Sequence, residues 1–224
     1  MRTIAKFLLR NRGFMAFMLC MVVFRSAVAD WNVVPTGSMQ PTIRIGDRIL
    51  VDKLAYDVRL PLTHISLYRL ADPQRGDIVV LDSPAADERL VKRVIGLPGD
   101  EVAMRANVLY INGQAASYTT SGYQGIHDDL RDPAHYATER YGALHHAIRL
   151  SNRHPSPLSN FGPTKVPPGQ YLLLGDDRDN SMDSRYLGFF ARNEIVGRAH
   201  RVIVSLDPQH HYLPRGNRFG TALR

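Results

Sequence analysis

The sequence predicts a mainly β fold: an antiparallel β-sheet domain behind an N-terminal transmembrane helix, broken by an irregular insertion. Three observations predict it. Short β-branched runs bounded by Gly, Pro, Asp and Asn recur between residues 48 and 204, which is the strand-and-turn pattern. One apolar run, Phe14–Phe24, follows the basic residues Lys6, Arg10 and Arg12. No long helical period appears after Asp30, which argues for an all-β domain of antiparallel sheets.

The N-terminal run supports two readings. As a cleavable export signal it has a basic flank, an apolar stretch and Ala27-Val28-Ala29 as an A-x-A site. As an uncleaved anchor it spans Gly13 to Trp31. A spanning helix wants ~20 apolar residues, so Arg25 would have to snorkel to the interface, where Trp31 would sit well. Either way the basic flank stays inside and everything after Trp31 is exported. The expected division is residues 1–31 as the anchor segment and 32–224 as the exported domain.

The strands expected in that domain are 48–52, 77–81, 89–95, 108–111, 171–174 and 197–204. Asn112-Gly113 marks a hairpin turn, and Pro98-Gly99-Asp100 and Pro167-Pro168-Gly169 mark further turns. The segment of about 115–165 is rich in His, Tyr, Ser, Pro, Asn and Asp with little periodicity. It reads as an irregular insertion, with room for a short helix over 136–148.

Composition narrows the function. The chain has 224 residues, 44% of them hydrophobic, with a formal net charge of +7. Its basic residues are scattered and not interleaved with aromatics, so nucleic acid is not an expected partner; attraction to anionic phospholipid explains the charge. The single cysteine, Cys20, lies inside the apolar run and excludes an intrachain disulfide. The nine histidines contain no HExxH, and no Cys/His cluster suggests a metal. The pairs His145-His146 and His210-His211 read as solvated surface. No cofactor is expected.

Three segments carry chemistry. In Pro35-Thr36-Gly37-Ser38-Met39-Gln40-Pro41-Thr42, two prolines and a glycine hold Ser38 on a rigid loop, the fixed exposure a nucleophile needs. In an extended chain Thr36 shares the face of Ser38, so its hydroxyl and the Ser38 N–H are candidate oxyanion donors. The bland reading is a loop serine. In Leu90-Val91-Lys92-Arg93-Val94-Ile95-Gly96-Leu97-Pro98-Gly99-Asp100, strand alternation places Lys92 with Leu90 and Val94. Apolar surroundings lower a lysine pKa toward that of a general base; Arg93 stays protonated and cannot do this. The bland reading is a charged pair guarding an edge strand. In Gly175-Asp176-Asp177-Arg178-Asp179-Asn180-Ser181-Met182-Asp183-Ser184-Arg185-Tyr186-Leu187-Gly188 an EF-hand fails, because Met182 and Gly188 stand where glycine and glutamate are needed. Asp183 and Arg185 suit a fork-like ion pair, and Ser181 suits a hydrogen bond to an amine.

In order, spacing and wording these three segments resemble the bacterial type I signal peptidases, the S26 family of serine proteases. The match covers 35–46, 89–101 and 171–200. The resemblance implies a serine endopeptidase with Ser38 as nucleophile, Lys92 as general base, Thr36 and the Ser38 N–H as oxyanion donors, and Ser181, Asp183, Arg185 and Arg93 in support. It places Val34, Pro35, Met39 and Leu90 along the substrate pocket. It further implies exported preproteins as substrates, cut after small residues, an apolar surface on membrane phospholipid, and a single-pass location in the bacterial inner membrane with the β domain outside. A specialised relative maturing a dedicated substrate, such as a conjugative pilin, is the alternative. The chain departs from the family at Thr36, where many members carry Ser, and at Asp177, where many carry Asn. It has one candidate membrane segment, whereas well-studied enterobacterial members have two.

Overall fold

The computed structural model describes residues 10–120 and 133–223. Lys6 of the basic flank and the centre of the 115–165 segment lie outside the described residues. Helix α1 (Arg12–Ala27) comes first, with 16 residues. At 1.5 Å per residue it is about 24 Å long, short of the ~30 Å hydrocarbon core. Among the described residues no helix is long and apolar enough to cross a membrane. Among the described residues none of its side chains is buried, and Phe14, Phe17, Leu19 and Phe24 are all exposed. At its C-terminal end Arg25 pairs with Asp30 at 2.8 Å and lies 4.1 Å over the Trp31 ring.

The rest is antiparallel sheet. The strands are β1 (Ala29–Val33), β2 (Asp47–Asp52), β3 (Asp57–Arg59), β4 (Ser66–Arg69), β5 (Ile78–Ser83), β6 (Glu88–Gly96), β7 (Glu101–Arg105), β8 (Val108–Ile111), β9 (Gln114–Ala115), β10 (Ser117–Thr120), β11 (Ala134–Tyr141), β12 (Leu144–Ser151), β13 (Phe161–Lys165), β14 (Gln170–Leu174), β15 (Phe190–Ala191), β16 (Ile195–Asp207) and β17 (Leu213–Pro214). The one-turn helix α2 (Ser184–Leu187) precedes β15. The largest sheet has the order β1-β2-β16-β5-β6-β14-β15, with β17 paired to β16. Smaller sheets are β10-β11-β12, β13-β7-β8-β9 and the hairpin β3-β4. All six expected strands form. Asn112 and Gly113 turn β8 into β9 with φ of 51° and 77°, the positive pair a type I′ turn requires.

The 115–165 segment corrects two expectations. Where it is described it is mostly strand, with irregular chain concentrated at 152–160, and 136–148 is not helical: β11 and β12 form a hairpin with Tyr141 opposite Leu144 and Glu139 opposite His146. Alternation decides it, because Leu144, His146 and Ile148 are buried in period two. Helix formers such as Glu139 and Arg140 yield to tertiary pairing, since secondary propensity is a weak prior. His146 is therefore buried rather than solvated, while His145 is exposed.

Three apolar clusters fill the interior. One, with Val34, Met39 and Ile43 against β2, β5 and β16, lies under the loop that holds Ser38. A second packs Leu90 and Val94 of β6 on Leu81, Leu173 and Phe190. A third joins Ile95, Leu172 and Leu174 to the β7–β8 hairpin and Leu144. β6 thus separates the clusters, with alternate residues facing each way.

The hairpin β11-β12 is joined to the main sheet by buried charge. Arg178 Nη2 lies 2.6 Å and Nη1 2.8 Å from the Glu139 carboxylate, and neither side chain is exposed. Tyr118 donates to the same carboxylate at 2.6 Å. Burial alone would raise the Glu139 pKa; the Arg178 guanidinium outweighs that and holds it below the usual carboxylate value. Arg149 of β12 pairs with Asp177 at 3.0 Å. Removing one partner of such a pair strands a buried charge and costs ~3–5 kcal/mol, whereas replacing both by apolar groups is far milder. Arg178→Met should accordingly lower unfolding free energy by about 3–5 kcal/mol in urea denaturation, and adding Glu139→Leu should restore most of it. A double variant no more stable than Arg178→Met would mean the pair is not the link.

Candidate active site

Ser38 and Lys92 are 54 residues apart in sequence and touch: Lys92 Nζ donates to Ser38 Oγ at 2.9 Å. Each is positioned by a separate piece of backbone. The loop 34–46 is closed at its ends, with Val34 N–H on Asp47 O at 2.9 Å and Gly46 N–H on Val34 O at 3.0 Å. Gly46 has φ of 87°, and a Cβ there would meet the Leu206 carbonyl at 2.0 Å, so no other residue closes this loop as tightly. Inside it, Gln40 N–H bonds Gly37 O and Ile43 N–H bonds Met39 O. Met39 and Ile43 anchor the turn in the core, leaving Ser38 half-buried between them and solvent.

Lys92 arrives on β6, where Val79 is its cross-strand neighbour. Its side chain is 2% exposed. Burial is the chief cause of a pKa lowered to about 8; Asp183, Glu88 and Asp176 oppose the shift and Arg185 adds to it. A buried lysine donating to a half-buried hydroxyl is arranged for proton transfer between Oγ and Nζ once the amine is neutral.

On the opposite face of β6, Arg93 grips Asp176 in a two-pronged pair at 2.8 and 2.7 Å. The register explains the meeting: β14 runs antiparallel to β6 with Leu174 opposite Arg93, so the chain leaving β14 passes directly over it. Thr42 Oγ1 donates to Asp176 at 2.5 Å, and Asp177 N–H donates to the Ser38 carbonyl at 3.1 Å. The three sequence segments are therefore bonded to one another at a single place. Asp183 and Arg185 form the expected fork, at 2.9 and 2.8 Å. The Asp183 carboxylate also accepts from Gly175 N–H at 3.1 Å and caps α2.

Two expected details differ. Ser181 makes no hydrogen bond to the lysine; its Oγ is buried without a partner. It packs against Gly175, where a Cβ would lie 2.2 Å from Ser181 Oγ and 2.5 Å from Ser38 O. Thr36 is exposed and sits at a bend rather than in extended chain. It shares a cleft with Ser38, not a strand face.

That cleft has a volume of about 290 Å³. Val34, Pro35, Met39 and Leu90 all line it, along with Thr36, Ser38 and Lys92. Larger clefts lie beside the β3-β4 hairpin and behind β6, and neither contains Ser38 or Lys92. Thr42, Gly175 and Glu88 were missed as site residues from sequence. Thr42 and Gly175 lie inside the quoted motifs, but which atom bonds to which depends on the register of β14 on β6. Glu88 lies just outside its motif, two residues before Leu90 on the same strand face.

Comparison with known proteins identifies the family. The family model described as signal peptidase, peptidase S26, matches residues 8–204. The chain is 35% identical over 223 residues to a signal peptidase I of Pseudomonas fluorescens, covering 94% of this chain and 77% of the relative. It is 34% identical over 177 residues to a signal peptidase I of Bacillus amyloliquefaciens, covering 79% and 74%. A crystal structure of a signal peptidase I from Enterococcus faecalis is 30% identical, covers 58% of this chain and 97% of its own, and superposes with a TM-score of 0.35. The chain belongs to the S26 family of signal peptidases.

Proposed function

We propose that this protein is a signal peptidase I, a membrane-anchored serine endopeptidase that removes signal peptides from exported preproteins by a Ser38–Lys92 dyad. The observation that carries this is the 2.9 Å bond between Lys92 Nζ and Ser38 Oγ at a buried lysine. Neutral Lys92 takes the proton from Ser38 Oγ as the oxygen attacks the scissile carbonyl. The oxyanion is held by Thr36 Oγ1 and the Ser38 N–H. Lys92 then protonates the leaving amine, and in the second half activates water to free the acyl group from Ser38. Ser181 supports the amine during this cycle: an unpartnered buried hydroxyl costs ~1–3 kcal/mol, and a bond to the lysine once the Ser38 proton has moved removes that cost. Arg93, Asp183 and Arg185 hold the backbone on which these groups stand. The cleft has a volume of only about 290 Å³ and places the apolar side chains of Val34, Pro35, Met39 and Leu90 beside Ser38, which suits the small residues of an A-x-A site.

Residues 1–31 serve as a single-pass anchor in the bacterial inner membrane, with 32–224 outside as the catalytic domain. The all-round apolar surface of α1 supports this, since none of its residues is buried among the described residues. Exposed Leu60, Leu62, Ile65 and Leu67 on the β3-β4 hairpin extend that surface, and Leu62 N–H bonds Ser26 Oγ at the end of the helix.

Three outcomes are expected. Detergent-solubilised wild type cleaves a preprotein after its A-x-A site, and Lys92→Ala does not; equal cleavage by the two would remove the dyad. Because protonated Lys92 is no base, kcat/KM rises with pH through a midpoint of about 8 and then levels; a profile flat from pH 5 to 10 would contradict it. Thr36→Val loses one oxyanion donor, about 3 kcal/mol of barrier, so kcat falls roughly a hundredfold; an unchanged kcat would take Thr36 out of the site.

A further inference from the structure

The cleft does not end at the small-residue pocket. From Ser38 and Lys92 it runs along β6 to Glu88 and along the neighbouring chain to Trp31. Glu88, Leu90 and Lys92 alternate on one face of the strand, so all three point toward whatever lies in the cleft. Leu90 is buried and lines the wall, whereas Glu88 is exposed at the far end. The charges around Glu88 are mostly spent. Arg89 is held by Asp82 at 2.6 and 3.0 Å, and Arg25 is held by Asp30 and the Trp31 ring. The Glu88 carboxylate itself has no hydrogen bond or ion pair among the described residues, yet its charge is felt at Lys92. A free carboxylate that lines the reactive cleft and acts electrostatically on the base is placed to act on a bound peptide as well.

We propose that Glu88 is a specificity-determining residue that favours a basic side chain, and disfavours an acidic one, four to five residues ahead of the scissile bond. This rests on the proposed function. Four residues of strand cover about 13 Å, so a peptide lying extended along β6 with its scissile carbonyl at Ser38 brings its fourth or fifth upstream residue to Glu88. The direction follows from the anchor. Trp31, at the same end of the cleft, is separated from α1 by only three residues, and the apolar part of a signal peptide approaches from the membrane side. Upstream residues therefore run toward Glu88. An exposed charge pair is worth up to ~1 kcal/mol; attraction for Lys and repulsion for Glu act in opposite directions, so exchanging the two changes kcat/KM roughly three- to tenfold.

The test uses full-length enzyme in detergent and preproteins carrying Lys, Gln or Glu at the fourth or at the fifth position before the cut. The readout is the Lys-to-Glu ratio of kcat/KM within each enzyme, so that a general change in activity cancels. Wild type is expected to favour Lys at one of these positions three- to tenfold, Glu88→Gln to bring the ratio to within twofold of unity, and Glu88→Lys to invert it. Asp87→Asn, which removes the neighbouring charge in the β5-β6 turn, is expected to keep the wild-type ratio. The preference of wild type should collapse in 1 M NaCl. A wild-type ratio near unity, or Glu88→Gln keeping the wild-type ratio, overturns the assignment while leaving the peptidase intact. A shift of the same size in Asp87→Asn also overturns it, by showing a diffuse field. Failure of wild type to cut any of these substrates overturns the function and this assignment together.

Discussion

The Arg93–Asp176 pair fixes the arrangement of everything around it. It joins β6 to the loop after β14, and through the Thr42 hydroxyl it reaches the far side of the loop that holds Ser38. With both partners almost fully buried, the pair is favourable only if its geometry is met, because each desolvated ion costs several kcal/mol on its own. A slip of β14 along β6 would break two strong bonds and leave two charges in the core. The same register brings Asp177 N–H to the Ser38 carbonyl. The position of Ser38 is thereby tied to a salt bridge on the opposite face of the strand that carries Lys92.

The electrostatics of Lys92 show why burial wins over nearby carboxylates. Asp183 and Asp176 both stand close enough to favour the ammonium form, yet each is already neutralised, by Arg185 and by Arg93. What remains of their field is weaker than the loss of water around a side chain only 2% exposed, so desolvation sets the direction of the shift. The ion pairs thus do two things at once. They hold the loop in shape, and they cancel charges that would otherwise keep the lysine protonated.

Much of this was legible in the sequence, for identifiable reasons. Strands such as 77–81 and 89–95 are β-branched and bounded by turn residues, so local pattern and final structure agree. Asn112-Gly113 specified its own turn. Strand alternation also placed Lys92 among apolar neighbours before any partner was known. The reading ran out where the outcome depended on distant contacts. The residues 136–148 have helical propensity, and the strand pairing that overrides it buries Leu144, His146 and Ile148 in period two and brings Glu139 to Arg178, 39 residues away. His146 looked solvated because an adjacent pair gives no hint of which member faces inward. Burial, followed by the Arg93 guanidinium, keeps its pKa well below the ordinary histidine value. Thr36 was placed beside Ser38 by assuming extended chain, whereas the bend at 36–37 brings the two together by a different route.

The β11-β12 hairpin has a consequence for how such a chain changes over generations. Surface excursions between strands are ordinarily the parts that lengthen, shorten and vanish first. This one cannot follow that course freely, because Arg149 of the hairpin bonds Asp177, and Glu139 answers Arg178, both in the loop that reaches Ser38. Losing the hairpin would leave Arg178 and Asp177 stranded beside Ser38. A chain shortened at this hairpin would therefore need uncharged residues at 177 and 178 as well, so the length of the excursion and the charge of the loop form one heritable unit in this protein.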